Sequence, residues 1–374
     1  MLTWCHLMSS CSRADVSVLF SPTDSPALDE TLSTILHKII LPSRLPEKQR
    51  RLVFDPERRQ YLLENPVVIE VEDYEYSFPT LDVKKGDVPP TRTIFWEALR
   101  QMRTDRDWAN LSTLLYGLRE AGRRWEPDEE AKMIRMASEA GHPFPIIDCA
   151  RQWLRTGLRL NTPEKTLQTL WGVCMAAVNK GWDDERAWRK AVRWGEMVEE
   201  LAQEKTHRAI GRGMHRNPVA QALLLFPLAH VVRRFQDGVD HDGALRKRLD
   251  LVLLLWRGGN GITLSFSKAA YANRVSGLAV LRDPTQLLLQ GSLVLSGLGM
   301  AREALALQGK ELKRVARIEK NIMSELMSLY DDPAVHADKG RSAFDKTVKA
   351  LGLHLESPST QSLQEPSQEG LTRP

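Results

Sequence analysis

Cysteine is scarce in this chain: 374 residues contain four, Cys5, Cys11, Cys149 and Cys174. They are too few and too scattered for a disulfide framework, and no two stand at a metal-binding spacing, which points to a reducing compartment. Long apolar runs are missing as well. The best, residues 219–232 and 287–300, fall short of the roughly 18 residues a membrane helix needs, and Pro227, His230, Gln290 and Ser292 interrupt them. No integral membrane segment is expected. Charge of one sign is nearly absent, because 52 Lys and Arg face 48 Asp and Glu, a net charge of +4. The pI of about 8.8 favours an anionic partner only weakly.

The motifs of phosphate and hydrolytic chemistry are also missing: there is no Walker A loop, no Gly-x-Gly-x-x-Gly after a strand, no His-Glu-x-x-His and no Gly-x-Ser-x-Gly. Gly258, Gly259 and Gly261 follow a helical pattern and read as the loop that ends it. His207 and His215 lie among Arg208, Arg212 and Arg216, which is the composition of a polar surface. The acid pairs Asp183-Asp184 and Glu199-Glu200 fall on helices, where solvated faces are the rule. No catalytic residue, cofactor or metal site is expected, and hence no enzyme.

With 42% hydrophobic and 27% charged residues, the chain has the balance of a globular protein. Residues 1–26 read as a targeting or disordered segment. Residues 1–14 hold Arg13, three serines and no acid, the acid-poor polarity of an organellar transit segment, although only one arginine is present. The expected location is the mitochondrial matrix. Residues 27–90 combine short helices, broken at Pro42, Pro46 and Pro56, with a β-hairpin over 67–78, where Val67, Ile69 and Val71 and then Tyr74, Tyr76 and Phe78 alternate at period two. Residues 206–353 continue in helices over 218–235, 243–256, 267–280, 284–307 and 310–330, as degenerate repeats or a cap. The tail 354–374 is rich in Ser, Pro, Gln and Glu and is expected to be disordered.

Between them, residues 91–205 carry an internal repetition. Leu118, Arg119, Arg123 and Pro127 recur 36 residues later as Leu154, Arg155, Arg159 and Pro163, with Gly122 and Gly157 in between. The pattern reads as a helix ending in Leu-Arg, a glycine closing it in the left-handed conformation, and a proline opening the next helix. A helical hairpin of this length cannot bury its apolar stripe alone and must stack on its neighbours.

Here the residues resemble the pentatricopeptide repeat family. Residues 93–103 resemble its first helix, residues 110–122 and 148–157 its second, and Trp125, Pro127 and Asp128 its closing turn, while the tetratricopeptide repeat is the alternative of similar period. The resemblance implies an all-α fold, an α-solenoid of stacked helical hairpins with a concave RNA-binding surface. Arg100, Arg103, Lys132 and Arg135 lie on the first helices of their units and would line it. Arg119, Arg123, Arg155 and Arg159, at the paired helix endings, form a ladder that would track a phosphate backbone; the competing reading is a solvated, salt-bridged face. Eight of the ten tryptophans fall in this region, either filling gaps between helices or stacking bases. The function expected is that of a mitochondrial RNA- or ribonucleoprotein-binding protein supporting RNA maturation, stability or translation. The alternative is a protein-binding scaffold acting as an assembly or mitoribosome-associated factor.

Overall fold

The computed structural model describes residues 19–71, 74–207, 216–256 and 285–330. Most of the expected targeting segment, Arg208, Arg212 and His215, the loop at Gly258, the helix expected over 267–280 and the expected tail lie outside the described residues. Among the described residues the fold is helical apart from one two-stranded antiparallel sheet. The chain divides into two compact units, Met1–Trp125 with Gln152–Leu158, and Glu126–Arg151 with Arg159–Pro374.

The first unit opens with α1 (Pro26–Ile35). Ser25 caps it by accepting the Leu28 N–H at 3.4 Å, and Pro26, with no N–H to lose, takes the first helical position. Further along the same rod, Pro42 has no N–H for the Lys38 carbonyl and its ring would crowd that oxygen. The chain widens there into a π-turn over Leu36–Ile40, in which the Leu41 N–H reaches back to the Leu36 carbonyl, before α2 (Leu41–Arg44). After α3 (Glu47–Val53) and α4 (Arg59–Glu64), β1 (Val68–Val71) pairs with β2 (Tyr74–Ser77), with Val68 opposite Ser77 and Val71 opposite Tyr74. A lone hairpin is marginal in water. This one is anchored by buried Val67, Val71 and Phe78, and beyond it the Leu81 N–H donates to the Val53 carbonyl at 2.8 Å.

The core of the unit forms where α1 packs on α5 (Thr91–Gln101) and the π-turn packs on α7 (Leu111–Glu120), which follows the short α6 (Asp105–Ala109). Gly117 permits the second contact, since a Cβ there would sit 2.5 Å from Ile40 Cδ1. The chain then leaves for α8 (Pro127–Glu139) and α9 (Pro143–Arg151), which belong to the second unit, and returns as the single turn α10 (Trp153–Thr156), packed on α7.

In the second unit α11 (Pro163–Lys180) packs against α8, α9, α12 (Glu185–Gln203) and α13 (Pro218–Phe235), so it is buried along most of its length, polar residues included. α13 in turn packs on α14 (Ala244–Leu255) and α15 (Thr285–Ala304), and α15 packs on α16 (Gly309–Tyr330). Close approach of α13 and α15 depends on Gly297, whose missing Cβ would lie 3.1 Å from the Phe226 Cα. Trp182, Trp188, Phe226 and His230 form one aromatic cluster, and both Trp188 and, in the first unit, Trp108 are fully buried. These two tryptophans fill gaps between helices.

Candidate nucleic-acid interface

Local chain geometry determines where the basic residues of the 36-residue pattern point. α7 ends with Gly122 at φ +75° and the Arg123 N–H bonded to the Leu118 carbonyl at 2.9 Å, a closure that leaves Arg123 exposed just past the turn. Gly157, at φ +81°, ends α10 in the same left-handed conformation. Arg119 and Arg155 are brought together between these endings. The Arg119 guanidinium donates to the Trp153 carbonyl at 2.7 Å, and that of Arg155 lies 5.1 Å from the centre of the Tyr116 ring. Both fasten α10 to α7. Arg100 and Arg103 are exposed in the first unit. In the second, Lys132 and Arg135 are half-buried on α8, and exposed Arg159 accepts Lys165 Nζ at its carbonyl at 3.3 Å.

Two further basic surfaces take shape only in three dimensions. The first is a cleft of about 500 Å³ in the first unit, where Lys38 of the π-turn, Arg50 and Arg51 of α3, and Arg123 converge around a single acid, Glu47. Glu47 is paired with Arg51. Lys38, Arg50 and Arg123 form no ion pair with any described residue. Ile39, Phe54, Val83 and Val88 supply an apolar wall.

The second is the outer face of α16. Val315, Ile318, Ile322 and Leu326 turn inward and are buried, while Lys310, Lys313, Arg317 and Lys320 are exposed. At 100° per residue these four cations fall within about 80° of the circumference, over about 15 Å of helix. The acids that would neutralise them are engaged elsewhere: Glu311 pairs with Arg246, and Glu319 with Arg302 at 2.7 Å. Arg314 turns inward to the Leu253 carbonyl at 2.6 Å. None of the four exposed cations forms an ion pair with another described residue. Their spacing of three, four and three residues is visible in the sequence, but the interleaved glutamates conceal the net charge of the face.

Buried titratable groups serve the fold. Lys165, 1% exposed, binds Glu130, Asn161 Oδ1 at 2.8 Å and the Arg159 carbonyl; burial raises the Glu130 pKa and the Lys165 charge opposes that rise. Burial pushes the Cys149 and Cys174 thiols far up, so neither is a ready nucleophile. Among the described residues, no group of three or more His, Cys, Asp or Glu is placed to hold a metal ion.

Comparison with known proteins identifies the family. The family described as mitochondrial ribosomal protein mS27 matches residues 6–347, nearly the whole chain. The chain belongs to that family. The small ribosomal subunit protein mS27 of Neurospora crassa is 31% identical over 211 residues, 56% of this chain and 52% of that relative. The chain therefore spans about half the length of that relative. Membership of the mS27 family makes the protein mitochondrial, the location expected from its acid-poor first residues.

The same finding corrects the pentatricopeptide assignment: the family is mS27, not a pentatricopeptide-repeat family. The 36-residue spacing marks helix ends that differ in structure. Leu118 is fully buried in a helix of 10 residues, whereas Leu154 is 70% exposed in one of 4. A left-handed glycine followed by an opening proline punctuates many helical hairpins, so recurrence of those residues alone does not define a repeat family.

Proposed function

We propose that this protein is a structural, non-catalytic component of the small subunit of the mitochondrial ribosome, held there by contacts with RNA and neighbouring proteins. The observation that carries the reading is the mS27 match over residues 6–347. It favours the ribosome-associated alternative over a role in RNA maturation. The unpaired basic face of α16 supports an RNA contact, because each phosphate it neutralises releases counterions. Within the first unit we assign exposed Arg100, Arg103 and Arg123 to an RNA contact, with Arg119 and Arg155 fastening α10 to α7; within the second unit we assign exposed Arg159 and half-buried Lys132 and Arg135 to such a contact. Within the second unit, the packing of α8 and α9 on α11, α11 on α12 and α12 on α13 supports a solenoid-like stack.

The test is affinity purification of the tagged full chain from mitochondria, with sequencing of bound RNA and identification of bound proteins before and after nuclease treatment. Small-subunit ribosomal RNA and small-subunit proteins are expected together. Recovery of messenger RNAs without ribosomal RNA would contradict the reading.

A further inference from the structure

We propose that the cleft between the π-turn, α3 and the end of α7 binds one extruded nucleotide of single-stranded RNA, its phosphate on Lys38, Arg50 and Arg123 and its base against Phe54. This rests on the RNA-binding part of the proposed function and adds a site to it. Four cations converge on the cleft against one acid, and that acid is already paired with Arg51. Three positive charges are left for a ligand that is itself anionic.

The rest of the lining defines the anion further. Phe54 is half-buried, and with Ile39 and Val88 it offers an aromatic and aliphatic wall beside the charges; Val83 stands 60% exposed at the rim. An acidic peptide would bring carboxylates for the cations but no flat ring to lie on Phe54. A nucleotide brings a phosphate for the cations and a flat ring for the wall, and the volume of about 500 Å³ lies in the range of small-molecule sites. The geometry is also fixed in advance. Pro42 imposes the wide turn that carries Lys38 and Ile39 into the cleft, and the left-handed Gly122 sets Arg123 at its edge.

The experiment is fluorescence anisotropy of a labelled 12-nucleotide oligouridylate with the full chain, across a salt series. The triple variant Lys38→Gln, Arg50→Gln, Arg123→Gln should flatten the logarithmic salt slope by about 0.7, the share of the one phosphate contact that the three cations make together. Phe54→Ala should leave the slope unchanged and weaken binding roughly ten-fold. An oligonucleotide with abasic sites should bind the natural chain as weakly as normal RNA binds the Phe54 variant. Circular dichroism checks that each variant keeps its helicity, and Phe54→Tyr, which preserves a stacking ring, should retain affinity if the site is built as described. An unchanged slope in the triple variant, equal binding of abasic RNA, or displacement of RNA by an acidic peptide of equal charge would each overturn the proposal. If the triple variant loses RNA affinity as expected but the chain fails to co-purify with the small subunit, the ribosomal reading falls and the nucleotide site stands.

Discussion

The side chain of Asn110 is bound to the backbone of Ser21 in both directions. Its Nδ2 donates to the Ser21 carbonyl at 3.0 Å, and its Oδ1 accepts the Ser21 N–H at 2.8 Å, so a side-chain amide replaces a neighbouring strand. One turn earlier, buried Asp107 accepts the N–H groups of Arg103 and Thr104 at 2.9 Å each and that of Asp24 at 3.3 Å. The segment before α1 is pinned to the α6–α7 junction by these two residues. Asn110→Ala leaves both Ser21 groups unpaired in a part-buried setting and should cost about 1–3 kcal/mol, read as a lower urea midpoint with faster proteolysis before Pro26.

Asp107 and His207 both make acid destabilising. Burial works to raise the Asp107 pKa, but the N–H donors of Thr104, Arg103 and Asp24 and the Thr104 hydroxyl outweigh it and leave the pKa below the ordinary aspartate range. Its contribution is complete above that range and is lost as pH falls through the lowered value. His207 is fully buried, and its Nδ1 accepts the Leu160 N–H at 3.1 Å, which requires an unprotonated nitrogen. Burial lowers its pKa below 6.5, so its contribution is complete above 6.5 and is lost as pH falls through the depressed value. Burial moves His230 and His37 in the same direction. The urea midpoint should therefore drop between pH 7.5 and 5, and His207→Gln should shrink that drop to the share left by His230 and His37. An identical pH profile in the variant would refute the assignment.

Lys165 carries a different cost. Its ammonium group is buried with Glu130, so Lys165→Met strands a carboxylate and should destabilise the second unit by about 3–5 kcal/mol. Replacing Glu130 with Leu in the same chain should recover most of that loss. A double-mutant cycle in urea measures the coupling, and strictly additive single changes would show that the pair contributes nothing.

How much of this was legible in the sequence differed from place to place. The hairpin, the opening prolines of α8, α11 and α13, and the left-handed glycines Gly122 and Gly157 depend on local chemistry and are readable residue by residue. The partner of α15 was not. Leu288, Leu289, Leu293, Leu295 and Leu298 are all buried around that helix and define no single apolar stripe, so only its packing on α13 across Gly297 orients it. Arg119 and Arg155 have the charge of RNA ligands in the sequence, and their neighbours Trp153 and Tyr116 are evident only when folded. The cleft joins Lys38 and Arg50 to Arg123 across more than seventy residues of chain, a separation that no periodicity spans.

The central claim is that this chain resides in the small subunit of the mitochondrial ribosome and is held there partly by the basic face of α16. The most direct measurement is sucrose-gradient sedimentation of mitochondrial extracts carrying either the natural chain or the variant Lys310→Gln, Lys313→Gln, Arg317→Gln, Lys320→Gln. The natural chain should sediment with the small subunit, and the variant, with its buried α16 face intact, should be released into light fractions at a lower salt concentration. A natural chain that stays at the top of the gradient while small-subunit proteins sediment normally would contradict the account.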